Sequence, residues 1–113
     1  MTYKEVATMV DSIGLPNAYY EFPDGTEQTP PFVCFFYTDS DDFYADNSNY
    51  AAIRPLTIEL YTDNKDFTNE GAVESVLSSY GIPYRKEETY IESEHMFQIA
   101  YSVEIVITEE ENG

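Results

Sequence analysis

A chain of 113 residues with 22 acidic and 5 basic side chains, a formal net charge of −17, has the size of one domain and the wrong sign for direct contact with nucleic acid or an anionic membrane surface. Its hydrophobic share of 42% and aromatic share of 16% separate it from disordered acidic chains, which hold few large apolar groups. The single cysteine, Cys34, excludes an internal disulfide and a thiolate zinc site. No run approaches the roughly 18 apolar residues of a membrane span, and the first residues lack the basic start and apolar core of a signal peptide, which predicts a soluble protein made in the cytosol.

Thr2 and Glu5 stand three apart ahead of an apolar rhythm, the spacing of a capping box. Tyr3, Val6, Ala7, Val10 and Ile13 then share one helical face; Gly14 offers a left-handed stop and Pro16 prevents continuation. Residues 18–22 read as a short strand closed by the turn Pro23, Asp24, Gly25. In residues 32–37, Phe32, Cys34 and Phe36 point one way and Val33, Phe35 and Tyr37 the other. A strand apolar on both faces is either covered twice or keeps one face for another subunit. Cys34 reads there as a small buried hydrophobe rather than a reactive thiol.

Residues 39–50 depart in composition, with Asp39, Asp41, Asp42 and Asp46 interleaved with Phe43, Tyr44 and Tyr50, and read as a long loop. The segment 53–66 follows and organises the rest. Leu56, Ile58 and Leu60 alternate with Thr57, Glu59 and Tyr61 in the period of a half-buried strand, which runs through a polar turn into a helix. Asp66 or Thr68 can cap that helix, whose expected buried stripe is Phe67, Val73, Val76, Leu77 and Tyr80. Gly81 and Pro83 end it, so that SYGIP echoes the earlier SIGLP and suggests two helix-to-strand units on one sheet. Residues 84–91 and 97–108 form the arms of a hairpin turning at 92–94, and residues 109–113 are a frayed acidic tail. The expected fold is one α+β domain over residues 1–113, a mostly antiparallel sheet of four or five strands with two helices packed on one face.

Chemistry is sparse. His95, the only histidine, sits by a hairpin turn with no nucleophile or orienting partner, and no nucleophile elbow, phosphate loop or metal-ligand spacing occurs. Asp39 and Asp41 fit the first two positions of a calcium loop, but Phe43 takes the next, and the required glycine and closing glutamate are missing. The expectation is a non-enzyme with no cofactor and no metal. Phe43, Tyr44 and Tyr50 would be costly in water, which makes the loop either a solvated segment or a subunit contact.

PPFVCFFY, the acidic loop with Asn47 and Tyr50, IRPLTIELYTDNKD and YIESEHMFQIAYSVEI together resemble the tail terminator, or tail completion, proteins encoded in the head-to-tail joining region of siphophages and prophages. The resemblance spans nearly the whole chain and rests on spaced strand and helix patterns, not a catalytic signature; another small head-completion or minor capsid protein of like size is the alternative within the same region. It implies a homo-oligomeric ring, a hexamer, that caps the tail tube and joins the head, with the tail-tube and head-completion proteins as partners and a place in the virion after assembly in the host cytoplasm. The subunit contacts would then fall on Val33, Phe35, Tyr37, Phe43, Tyr44 and Tyr50, and Asp39, Asp41, Asp42 and Asp46 would face the lumen or the solvent. The rival reading is an acidic DNA mimic that inhibits a host nuclease or restriction enzyme. Mimicry needs carboxylates spaced along an exposed face, whereas here they gather in the loop, the hairpin and the tail.

Overall fold

The computed structural model describes residues 1–22, 28–38 and 52–108. Helix α1 (Tyr3–Asp11) opens on the capping box read from the sequence, with the Glu5 backbone N–H donating to Thr2 Oγ1 at 3.1 Å and the Thr2 N–H donating to Glu5 Oε1 at 2.9 Å. Helix α2 (Phe67–Ser79) is capped by Asp66, which accepts from the Asn69 backbone N–H at 2.9 Å and from the Asn69 side chain at 2.8 Å. Each helix is followed by a glycine at positive φ, Gly14 at 89° and Gly81 at 69°, a conformation that glycine adopts without steric cost.

Five strands make one sheet: β1 (Asn17–Tyr19), β2 (Phe32–Tyr37), β3 (Ala52–Thr62), β4 (Arg85–Ile91) and β5 (Met96–Ile107), in the order β1-β2-β3-β5-β4. Only the β1–β2 pairing is parallel, and the other three are antiparallel. The α+β architecture anticipated from the pattern is therefore present. The two helix-to-strand units place β1 and β4 at opposite edges of the sheet, with β2, β3 and β5 between them. β1 is shorter than the sequence suggests because Tyr20 turns to φ 70° and leaves the strand direction. The hairpin turn is a 3-10 turn at Glu92–Glu94, with His95 at φ 54° leading into β5.

The core lies on one face. Val33 opposes Leu60, which opposes Ile99; Phe35 opposes Ile58, which opposes Tyr101. Val6, Met9 and Val10 of α1 and Val73 and Leu77 of α2 close over this layer, and all five are at most 1% exposed. Both helices thus cover the same face.

The expected stripe of α2 needs correction. Val73 and Leu77 are buried and Val76 packs at the margin, but Phe67 is 74% exposed and Tyr80 44% exposed. Phe67 opens the helix and packs instead beneath the Lys65 ammonium, 4.8 Å from the ring centre. Glu70 takes the inward position at 2% exposure.

Two substitutions test this account. Leu60→Ala, in the central strand at 0% exposure, is expected to cost about 2–5 kcal/mol, and Thr2→Ala about 1 kcal/mol through the lost cap, each read from the urea midpoint of unfolding.

Candidate functional site

Alternation along the strands sends a second set of side chains to the face that, among the described residues, carries no helix. Phe32, Cys34 and Phe36 of β2 point there, with Tyr61 and Glu59 of β3, Met96 of β5 and Ile91 of β4, as the pairings of Cys34 with Glu59 and of Ile91 with Met96 require. Aromatic side chains gather at the β1–β2 side. Phe22 meets Phe32 edge-on at 5.5 Å, Phe32 stacks on Tyr61 at 4.9 Å, and Tyr20 meets Phe36 at 5.8 Å. Between them and the β4–β5 hairpin lies an open groove of about 360 Å³, floored by Phe32, Cys34, Tyr61 and Met96 and bordered by Glu21 and Glu94.

The groove is electronegative. None of the chain's Lys and Arg side chains pairs with Glu21, Glu59 or Glu94 among the described residues. The Tyr61 hydroxyl donates to Glu59 Oε1 at 2.6 Å and accepts from Gln98 Nε2 at 2.9 Å. Burial, with the Glu59 bond added, holds the Tyr61 hydroxyl well above its usual range. Cys34 is pushed up to about 11, first by burial and then by the nearby charges of Glu59 and Glu21. It is 5% exposed, and at neutral pH it remains a thiol.

On the helix-covered face two lysines and three glutamates form an ion-pair network. Glu70, with a side chain 3% exposed, sits between Lys65 at 2.5 Å and Lys86 at 2.9 Å. Lys65 also reaches Glu88 at 2.7 Å, Lys86 reaches Glu74 at 2.7 Å, and the buried Tyr101 hydroxyl donates to Glu74 at 2.8 Å. Burial alone would raise the Glu70 pKa; the hydrogen bonds from Lys65 and Lys86 outweigh it and hold the carboxyl below its ordinary value. The network ties α2 to β4 and to the turn that precedes the helix, which is a structural role.

The residues expected at a subunit contact divide. Val33 and Phe35 lie in the chain's own core at 0% and 8% exposure, so their surface is already taken by α1 and α2, and the outward apolar face of β2 is the other one. Tyr37 is half-buried, packs edge-on against Tyr3 at 5.2 Å, and has its hydroxyl pushed up to about 12, chiefly by burial. The Arg54 guanidinium lies 5.2 Å from the Tyr37 ring centre and donates to the Tyr3 hydroxyl at 2.8 Å. Phe43, Tyr44, Tyr50, Asp39, Asp41, Asp42 and Asp46 lie outside the described residues, as does the tail 109–113. Among the described residues no group of three or more His, Cys, Asp or Glu side chains could hold a metal ion, and no helix is long and apolar enough to cross a membrane. Sequence reasoning missed Glu70 and the groove. The signal for the groove is the set Phe32, Cys34 and Phe36, apolar like Val33 and Phe35 on the opposite face of the same strand.

The charge network carries a pH signature. Glu70 titrates lower in the folded chain than in the unfolded one, so its contribution to stability is complete above its ordinary value of 4.5 and is lost as pH falls through the lower folded value. Lys65 and Lys86 titrate higher when folded, so theirs is complete below 10.5 and lost as pH rises through the raised values. Urea midpoints measured from about pH 3 to pH 6 are expected to fall more steeply with acid in the wild type than in Glu70→Gln.

No protein-family model and no curated protein matches the chain. Among solved structures, a chain of the virion of a native gene transfer agent particle is similar, with a TM-score of 0.56 and 16% sequence identity over 95% of this chain and 89% of that one. At this identity the likeness is one of fold.

Proposed function

We propose that this chain is a structural protein of a phage-like virion and, within that class, the tail terminator, acting as a ring that caps the tail tube and presents the surface to which the head joins. The observation that carries the reading is the fold shared with a chain of a gene transfer agent virion over 95% of the sequence. The sequence resemblance to tail terminators narrows it. Its partners are further copies of itself, the tail-tube protein and a head-completion protein, its place is the head-proximal end of the tail after assembly in the host cytoplasm, and its role is architectural rather than catalytic.

The electrostatics fit this role. Six copies would bring about 100 formal negative charges together, 17 from each, and carboxylates facing a central channel repel passing DNA rather than hold it. Asp39, Asp41, Asp42 and Asp46 are the proposed lumen residues. The same charge opposes ring closure, so the contacts must be apolar; with Val33 and Phe35 enclosed in the core, Phe43, Tyr44 and Tyr50 are the proposed contact residues. The DNA-mimic reading is weakened on the helix-covered side, where Glu70, Glu74 and Glu88 are paired with lysines instead of standing free as phosphate surrogates.

Light scattering after size exclusion tests the ring. The 13.0 kDa chain is expected to give the mass of a closed oligomer, about 78 kDa for six copies, firmer as added salt screens the repulsion. The Phe43→Asp, Tyr44→Asp double variant is expected to lower that mass. A chain that stays at 13.0 kDa at every salt and concentration, and also fails to halt polymerisation of its tube protein, is not a terminator.

A further inference from the structure

The groove on the helix-free face has the build of a docking site. Its floor is apolar, from Phe32, Tyr61 and Met96, on a sheet face that no element of the described chain covers. Its border is acidic, with Glu21 and Glu94 exposed and Glu59 held beside the floor by the Tyr61 hydroxyl. We infer that this groove receives a segment of a different protein, one that carries an aromatic or branched aliphatic side chain flanked by lysine or arginine. The apolar residue seats against Phe32 and Tyr61, and the flanking cations meet Glu21 and Glu94.

Charge complementarity selects this occupant over a second copy. The chain has only 5 Lys and Arg residues, and the ammonium groups of Lys65 and Lys86 are committed to Glu70, Glu74 and Glu88. A second copy, at −17, would bring mainly carboxylates to an acidic border, whereas a basic partner gains attraction and faster encounter. The inference does not rest on the ring: a monomer could present the groove equally well.

Panning a random dodecapeptide library against the full chain tests it. Enriched peptides are expected to place Lys or Arg beside an aromatic or aliphatic residue. A synthesised winner is expected to perturb the NMR amide signals of Phe32, Cys34 and Met96, to bind more weakly as salt rises, and to lose about tenfold or more in affinity to the Glu21→Lys, Glu94→Lys double variant. Both changes lie at exposed positions, and circular dichroism verifies that the fold is kept. The inference is overturned by an absence of enrichment, by winners without basic residues, by binding that ignores the charge reversal, or by amide changes away from this face. It is also overturned if the reversal alters the mass in light scattering, because the groove would then belong to a contact between copies. A monomeric wild type whose groove still selects basic peptides would remove the ring and leave this inference standing.

Discussion

Burial of Val33, Leu60 and Ile99 beneath α1 and α2 commits one face of the sheet to the interior, and the period of two along each strand then fixes what the opposite face must carry. In β3 and β5 the opposite residues are largely polar, such as Thr57, Glu59, Gln98 and Ser102, and suit a face without a helix. In β2 they are Phe32, Cys34 and Phe36. Side chains of that kind on an uncovered face lower the solubility of a free chain, and here aromatic neighbours from β3 and from the segment after β1 shield them in part. The groove is a consequence of one-sided coverage combined with one strand that is apolar on both faces.

Charge is distributed with the same asymmetry. On the helix-covered side, Lys65 and Lys86 bracket a nearly buried carboxylate, and Tyr101, Glu74 and Glu88 extend the network, so that two lysines offset part of the charge of the three glutamates there. An isolated buried carboxylate would be expensive to ionise, and two ammonium groups within ion-pair distance make Glu70 tolerable at the α2–β4 boundary. On the helix-free side, Glu21, Glu59 and Glu94 have no cation beside them among the described residues, and their charge stays unpaired there. The two sides of the sheet therefore offer different chemistry: on one, three carboxylates are held in ion pairs, and on the other, unpaired carboxylates border an apolar floor.

What the sequence by itself determined is what depends on near neighbours along the chain. The capping box of Thr2 and Glu5, the Asp66 cap, the glycine stops at Gly14 and Gly81, the bounds of β2 and the hairpin of β4 and β5 all follow from contacts within a few residues or from a period of two or 3.6, and each stands in the structure. The tertiary structure decided what depends on partners far along the chain. The side of β2 that faces the helices follows from the register that sets Val33 against Leu60 and Phe35 against Ile58, and a strand apolar on both faces holds no local signal of that choice. Glu70 lies three and seven residues before Val73 and Leu77, on the buried face of α2, but a carboxylate is tolerable there only because Lys86 arrives from β4, 16 residues on, and joins Lys65 at it, which no local pattern announces. The groove needs Phe32, Tyr61, Ile91 and Met96 from four strands at once, and only the assembled sheet brings them together.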